Sequence, residues 1–224
     1  MASCVILGWT FAGEVEPVFA RSTAGWEDPR KDAPRVDLSD EALCELVASK
    51  DDDAFAVLVE RYRERSYRLA WSMLGDAEAA RDVSQEAFLR LFEVAGRFDG
   101  RSRFSTWFHR IVVNLSIDHR RRERWWWKLS RRRPPEDPGD ETELERQISD
   151  SAGPEERAAS REVLLRVREV IDRLPPQQRA ALVLQLEEDL PTREIAAALG
   201  CTESTARVHL HRALTTLKRA FRGA

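Results

Sequence analysis

The stretch from Phe104 to Arg124 separates apolar from basic side chains when it is drawn as an α-helix. At about 100° per residue, one side forms an apolar stripe of Phe104, Trp107, Phe108, Ile111, Val112 and Leu115. The other side carries Arg103, Arg110, Asn114 and Arg121. Residues 101–133 contain eleven Lys or Arg residues and only two acids. Because so dense a positive charge repels itself unless a polyanion neutralises it, the stretch favours a nucleic-acid ligand over an ordinary solvated face.

An amide in this basic row, Asn114, adds the capacity to read sequence. Arginine contacts to phosphate fix the position of a protein on DNA but do not distinguish one base from another. An asparagine amide can hydrogen-bond the edge of a base. We therefore expect this helix to recognise particular bases.

Charge is segregated along the 224 residues, although the formal net charge is only −3. Residues 136–156, behind the basic stretch, contain nine acids and one arginine. Residues 190–224 are basic again, with six Lys or Arg residues against two acids. Blocks of opposite sign indicate modules with different tasks, so the near-neutral total does not argue against a nucleic-acid ligand.

Cysteine, histidine and apolar residues exclude several classes of protein. The three cysteines are far apart and include no CxxC pair, which is typical of a reducing cytosol and predicts a cytoplasmic protein without a disulfide framework. His209 and His211 point to different sides of a helix, so we expect no metal site and no other cofactor. No apolar run approaches the ~20 residues of a membrane span, so we expect no membrane insertion.

The periodicity of apolar residues predicts an all-α protein with two small helical domains. Residues 1–37 have no clear period and carry several prolines and glycines, so we expect a disordered N-terminal extension. Residues 38–127 are predicted to form the first helical domain. Within it, Ser39 is a helix N-cap, and Gly75 ends a second helix before Asp76 begins a third.

A flexible acidic linker is predicted at residues 128–153, where prolines and a glycine interrupt the helix. The second domain, residues 154–224, ends in two predicted helices at 192–199 and 203–222, joined by Gly200. Small residues where these helices would cross are typical of a helix-turn-helix. Since the outward side of the second helix is polar and basic, the pair favours DNA binding over a hairpin used only for packing.

Trp125, Trp126 and Trp127 follow the basic row directly, and three adjacent residues cannot share one face of a helix. We expect two of them to pack onto the first domain and the third to be partly exposed. The alternative is an anchor for another protein or domain, because exposed tryptophan is enriched at interfaces. Trp107, in contrast, lies on the apolar stripe and is expected in the core rather than as a platform for a base.

Three stretches in this order and spacing resemble one family. They are LVERYRERSYRLAWSMLGDAEAARDVSQEAFLRLF, RFDGRSRFSTWFHRIVVNLSIDHRRR and LPPQQRAALVLQLEEDLPTREIAAALGCTESTARVHLHRALTTLKRAF. Together they resemble a bacterial extracytoplasmic-function sigma factor, a small two-domain member of the sigma-70 family. The resemblance covers residues 38–223. It implies a region 2 helical bundle and a region 4 helix-turn-helix domain joined by the acidic linker.

The resemblance also implies roles for individual residues. The family's Asp-x-x-Gln-Glu element contacts the clamp helices of RNA polymerase, and it is matched here by Asp82, Gln85 and Glu86. The family's melting segment binds the minus-ten element and captures a flipped base, which implies roles for Arg103, Arg110, Asn114, Arg120 and Arg121. The family's recognition helix binds the minus-thirty-five element, which implies contacts from Ser204, Thr205, Arg207, Val208, His211 and Arg212.

The expected partners are therefore core RNA polymerase, promoter DNA and an anti-sigma factor, and the expected role is promoter recognition and melting without catalysis. Two other classes are weighed. A one-component helix-turn-helix regulator would bind palindromic duplex DNA by itself. A nuclease would use acids such as Asp82, Glu86 and Asp118, but their spacing does not resemble a metal site.

Overall fold

The computed structural model describes residues 35–130 and 154–222, with side chains at 35–126 and 161–221. Every regular element in these residues is helical. The eight α-helices are α1 (Asp40–Ala48), α2 (Asp52–Leu74), α3 (Ala77–Val94), α4 (Phe104–Ser130), α5 (Pro154–Asp172), α6 (Pro176–Glu188), α7 (Thr192–Leu199) and α8 (Glu203–Arg222). Single 3₁₀ turns lie at Arg35–Asp37 and Ala95–Arg97. The predicted disordered extension and acidic linker lie almost entirely outside the described residues.

Local capping sets the limits of the first helices, as the sequence predicts. Three helices begin at a side chain that accepts a hydrogen bond from an amide three residues later: Ser39 from Ala42 at 3.2 Å, Asp51 from Ala54 at 2.9 Å and Asp76 from Ala79 at 2.6 Å. The chain leaves α2 through Gly75, whose φ of 84° is a left-handed conformation that favours glycine. The predictions for Ser39, Gly75 and Asp76 are confirmed.

Helices α1 to α4 form the N-terminal bundle, and α4 supplies the centre of its core. Phe104, Phe108 and Val112 of the predicted stripe are fully buried. The Phe104 ring meets Tyr62 of α2 with ring centroids 5.3 Å apart, and the Phe108 ring lies 5.1 Å from Phe88 of α3. These contacts fix α4 across α2 and α3, so its polar side has a defined orientation.

Helices α5 to α8 form the C-terminal bundle, in which α7 and α8 are a helix-turn-helix. The turn passes through Gly200 at a φ of 65°, and Thr202 Oγ1 accepts a hydrogen bond from the amide of Thr205 at 3.2 Å. Ala196 and Ala206 are buried between the two helices. Small residues at this crossing allow close packing, which leaves the opposite side of α8 outside the core.

The two bundles pack against each other, which the sequence did not predict. Helix α7 lies on α4, and α6 lies on α2. One apolar cluster runs through both bundles and includes Phe108, Leu184 and Ile195. We call the packing of α6 and α7 on α2 and α4 the bundle contact. It buries residues of α4 that lie outside the predicted stripe, including Thr106 and His109.

The tryptophans after the basic row are not packed as expected. Trp125 and Trp126 are 60% and 63% exposed, so the prediction that two of the three tryptophans pack onto the first domain is wrong. The Trp127 side chain lies outside the described residues. Trp125 and Trp126 are exposed because α4 continues to Ser130, whereas its last apolar residue packed against the core is Ile117.

Candidate nucleic-acid interface

The outward side of α4 carries the predicted basic row. Arg103, Arg110, Asn114 and Arg121 are all exposed, whereas Val112 and Val113 beside them are buried. Arg121 forms an ion pair with Asp118 at 3.0 Å, and both side chains remain half or more exposed. An exposed pair of this kind holds its partners weakly, so Arg121 can exchange the carboxylate for a phosphate.

Arg120 occupies a different position from the rest of the predicted minus-ten group. Its Nη1 donates to the carbonyl oxygens of Met73 at 3.1 Å and Leu74 at 3.4 Å, and to the Asp172 carboxylate at 2.9 Å. Six residues from Asn114, it lies about 120° around the helix. Arg120 therefore caps the end of α2 and bridges to α5, and a role at DNA would require it to leave these partners.

The bundle contact reaches the N-terminal half of the basic row, although the Arg103 and Arg110 side chains stay exposed. Glu194 of α7 accepts a hydrogen bond from Thr106 Oγ1 at 2.9 Å and lies 3.7 Å from Arg103 Nε. The Arg110 guanidinium lies against the backbone of Gly200, where an added Cβ would come within 3.3 Å of it. An acid of the C-terminal bundle thus occupies part of the surface that a phosphate would need.

A buried histidine and a buried glutamate lie beneath these contacts. His109 is 1% exposed, and its Nε2 lies 3.5 Å from Oε2 of Glu188, which is also 3.6 Å from Arg65 Nε. Burial, followed by the charge of Arg65, lowers the pKa of His109 to about 4, while burial raises the pKa of Glu188. His109 is therefore uncharged at neutral pH, and the bundle contact favours that state.

The sequence gives no signal for this pair. His109 lies outside the apolar stripe and directly before Arg110, and its burial depends on α6, which lies more than sixty residues further along the chain. The proximity of His109 to Glu188 arises only when the two bundles pack together.

The outward side of α8 is exposed over its first two turns. The residues predicted to face the minus-thirty-five element are all on this side: Ser204, Thr205, Arg207, Val208, His211 and Arg212. Arg207 pairs with Glu203 of the same helix at 2.9 Å. Ala206, Leu210 and Ala213 on the opposite side are buried. This side has the shape and charge of a helix that enters a major groove.

The third predicted surface lies on α3. Asp82, Gln85 and Glu86 are exposed, and Val83 and Ala87 fix the helix from below. Leu89, one turn further on, is 65% exposed. Sequence reasoning missed Leu89 as part of this surface, although its position four residues after Gln85 places it on the same side.

Two negative findings apply to the described residues alone. Within 35–130 and 154–222, no group of three or more His, Cys, Asp or Glu side chains is placed to hold a metal ion. In the same part of the chain, no helix combines the length and the apolar character of a membrane span.

Two family models match the sequence of this chain. The family model for sigma-70 region 2 matches residues 58–126, and that for sigma-70 region 4 matches residues 164–217. The ECF RNA polymerase sigma factor SigW of Bacillus subtilis is 33% identical over 178 residues, covering 79% of this chain and 93% of the relative. The chain belongs to the extracytoplasmic-function group of the sigma-70 family.

Other sigma factors agree with this assignment. The ECF RNA polymerase sigma-E factor of Escherichia coli is 32% identical over 181 residues, covering 79% of this chain and 91% of the relative. The RNA polymerase sigma-H factor of Pseudomonas aeruginosa is 31% identical over 187 residues, covering 81% and 93%. In this sigma factor, the region 2 match includes α4 with its basic row as far as Trp126, and the region 4 match includes α8 as far as Leu217.

Solved structures show the same fold. CnrH, solved in complex with the cytosolic domain of CnrY, superposes with a TM-score of 0.58 at 23% identity, covering 82% of this chain and 97% of that one. The sigma factor RpoE from Bartonella quintana, solved in complex with the anti-sigma factor NepR, gives 0.58 at 16% identity, covering 73% and 94%. The all-α fold predicted for the sigma factor is confirmed.

Proposed function

We propose that this sigma factor binds core RNA polymerase, directs it to promoters through minus-ten and minus-thirty-five elements, and promotes opening of the duplex. The observation that supports the proposal is the presence of two outward polar and basic sides on two separate bundles, one on α4 and one on α8. Each holds an arginine row with a residue suited to base edges.

At the minus-ten element, Asn114 reads a base while Arg103, Arg110 and Arg121 neutralise the phosphates beside it. Extrusion of a base from the duplex costs a few kcal/mol, which contacts to the flipped base and the backbone offset. The position of Asn114 at the middle of a helix fixed by Phe104 and Phe108 supports this role, because a rigid helix holds the amide in place.

At the minus-thirty-five element, the first turns of α8 enter the major groove. Arg207 and Arg212 are exposed and long enough to reach guanine or phosphate. Val208 is 47% exposed and can contact a thymine methyl group. His211 adds a hydrogen-bonding group on the same side.

Simultaneous binding of both elements requires the bundles to separate. Elements named for positions ten and thirty-five lie about 25 base pairs apart, which is about 85 Å of DNA at 3.4 Å per base pair. Here α4 packs directly on α7, and α8 is about 30 Å long. The 23 residues of 131–153 can extend to roughly 80 Å. Core polymerase would therefore hold the two bundles apart.

The polymerase contact is proposed for Asp82, Gln85, Glu86 and the adjoining Leu89. An acidic and amide patch beside an exposed leucine on a rigid helix is suited to a basic helical partner. The bundle-to-bundle surface is also where an anti-sigma factor would act, by holding the closed arrangement. A cytoplasmic location and a role in binding rather than catalysis complete the proposal.

Run-off transcription tests the function. Purified cognate core polymerase is supplied with a promoter fragment from upstream of the protein's own gene, with wild type, Asn114→Ala or Arg212→Ala. Arg63→Ala is the control, because Arg63 is exposed on α2 and pairs with Glu60 of the same helix. We expect transcripts only when this protein is added, and losses of about 5- to 150-fold from each of the first two substitutions but not from the third.

Two results contradict the proposal. Absence of transcription from every fragment tried, together with binding of palindromic duplex DNA by the protein alone, identifies a one-component regulator. Metal-dependent cleavage of the DNA identifies an enzyme.

A further inference from the structure

The Trp126 side chain near the end of α4 has no role in the sites described so far. It is 63% exposed, and its ring meets that of the equally exposed Trp125 edge to face, with centroids 5.9 Å apart. Trp126 lies about 120° around α4 from Asn114, so it is outside the row that we propose reads DNA. A large apolar ring in water is unfavourable, and tryptophan is enriched where proteins bind one another.

Trp126 lines a groove of about 450 Å³ between α3 and α4. The α4 residues of the groove precede Trp126 by three, four and seven positions, which places them on the same side of the helix. The other lining residues are Glu123, Arg122 and His119 of α4 and Asp82, Val83 and Glu86 of α3. All of them belong to the N-terminal bundle, so the groove does not depend on the bundle contact.

The charges of this groove favour a basic protein over a nucleic acid. Its lining includes three carboxylates, from Asp82, Glu86 and Glu123, and one guanidinium, from Arg122. Arg122 Nη2 lies 3.9 Å from Glu86 Oε2, and both side chains are more than half exposed, so this pair holds its partners weakly. A phosphate backbone would meet mostly like charge in the groove, whereas the Lys and Arg side chains of a protein would be attracted to it.

The groove is continuous with the surface of α3 for which the polymerase contact is proposed. Asp82 and Glu86 belong to both. Gln85 and Leu89 lie on the same exposed side of α3, and Leu89 is 65% exposed. The combined surface therefore joins carboxylates to two exposed apolar side chains, one on each helix. Protein interfaces commonly combine apolar anchors of this kind with polar groups around them.

We propose that Trp126 is a polymerase-binding residue, and that the groove beside it takes an apolar side chain from the basic helical segment of core polymerase that Asp82 and Glu86 bind. This inference rests on the proposed function, and it extends the polymerase surface from α3 to the end of α4. The carboxylates and the ring contribute differently. Attraction by exposed carboxylates weakens as salt screens it, whereas burial of the Trp126 ring depends little on salt.

The test measures the affinity of the protein, labelled at its N-terminus, for purified cognate core polymerase by fluorescence anisotropy in the absence of DNA. The variants are Trp126→Ala and Trp126→Phe, with Asp82→Asn to report the contribution of charge. Trp125→Ala is the matched control, because it removes an equally exposed ring about 100° away around the same helix. Each titration is made at about 0.1 M and at about 0.4 M salt, which shortens the range of electrostatic attraction.

We expect Trp126→Ala to weaken binding of core polymerase by about 5- to 30-fold, and by a similar factor at both salt concentrations. Trp126→Phe should keep most of the wild-type affinity, because a smaller aromatic ring still fills part of the groove. Trp125→Ala should bind like wild type. Asp82→Asn should weaken binding at the lower salt concentration and have a smaller effect at the higher one.

Three results would overturn the inference while leaving the proposed function intact. The first is wild-type affinity of Trp126→Ala for core polymerase, whether or not its holoenzyme binds promoter DNA less well. The second is an equal loss from Trp125→Ala, and the third is a loss from Trp126→Ala that disappears at the higher salt concentration. Failure of the wild-type protein to bind core polymerase at either salt concentration would instead contradict the proposed function.

Discussion

The two helix sides that we propose read DNA in this sigma factor are in opposite states. On α8 the predicted contact residues face outward, and the ion pair there is local to the helix. On α4 the N-terminal half of the basic row faces α7, where Glu194 meets Thr106 and Arg103. The difference lies in the bundle contact, which uses the α4 side and leaves the α8 side free.

The comparison indicates which element a free protein can read. On the proposed function, a minus-thirty-five element can reach α8 without any rearrangement, whereas a minus-ten element must displace Glu194 from its contacts with Thr106 and Arg103 on α4. Recognition of the minus-ten element is therefore coupled to separation of the bundles. Conditions that weaken the bundle contact should act on one element and not on the other.

Substitution of Arg179 should have the largest effect on stability, because its buried side chain joins the two bundles. It is 3% exposed, and its guanidinium donates to the carbonyl oxygens of Ile171, Asp172 and Met73. Arg179→Met would remove the side-chain donor to the Asp172 carbonyl and one of two donors to the Ile171 and Met73 carbonyls, and we expect a loss of about 1–3 kcal/mol in the free energy of unfolding. Urea denaturation measures it. Arg173→Met is the control, since that exposed arginine pairs with Glu169 one turn away, and it should change stability by less than about 1 kcal/mol.

The separate accessibility of the two sides can be tested by substitution at each. For the free protein on a duplex that contains only the minus-thirty-five element, Arg212→Ala should weaken binding by about 5- to 150-fold, whereas Asn114→Ala should have no effect. In the holoenzyme on a whole promoter, both should weaken binding. Electrophoretic mobility shift measures the affinities. Equal effects of the two substitutions on the free protein would show that α4 is already accessible.

A substitution on α7 that weakens the bundle contact should expose the basic side of α4. Glu194→Lys replaces the acceptor of Thr106 by a cation that repels Arg103, and we expect the ratio of closed to open molecules to fall by roughly 10- to 30-fold. Small-angle X-ray scattering should show a larger radius of gyration, and binding of a minus-ten single strand should improve. Glu203→Lys, the matched change on the free side of α8, should leave the radius of gyration as in wild type.

The strength of the bundle contact should also depend on pH. The pKa of His109 rises from about 4 in the closed arrangement to its ordinary value near 6.5 once water reaches it, so the open state binds the extra proton as pH falls. The pKa of Glu188 is raised by burial, which acts in the opposite direction, while Arg65 and Arg68 lower it and Glu187 raises it. Glu188→Gln removes the opposing titration.

In the Glu188→Gln background, the bundle contact should be strongest above pH 6.5 and weaken about tenfold by pH 5.5. Small-angle X-ray scattering, or energy transfer between labels on the two bundles, measures this weakening. In the double variant that also carries His109→Asn, the radius of gyration should not change over this range. A pH response that persists in the double variant would assign the titration to another group.

Sequence reasoning succeeded where a short segment decides the structure. Ser39, Gly75 and Gly200 set helix ends through their own side chains or backbone freedom, and these effects need no distant partner. The exposure of Asn114 likewise follows from helical periodicity once Phe104 and Phe108 are assigned to the core. Local rules therefore predicted the helices and the outward rows of the candidate site.

Sequence reasoning failed where the partner is distant in the chain. Arg120 binds Asp172, fifty-two residues away, and Glu188 covers His109 from another bundle. No periodicity encodes which helix of one bundle will lie on the other. Trp125 was misjudged for a related reason: its exposure depends on how far α4 extends past the helices it packs against.

The Met73 carbonyl oxygen accepts hydrogen bonds from two arginines, Arg179 of the C-terminal bundle and Arg120 of its own. When the bundles part, Arg179 retains the acceptors on α5, and Arg120 still satisfies Met73 at the end of α2. Neither bundle exposes a new unpaired helix terminus. Because both arginines share this acceptor, the bundle contact can form and break reversibly. It holds the two bundles together, but neither bundle needs the contact to keep its own helices folded.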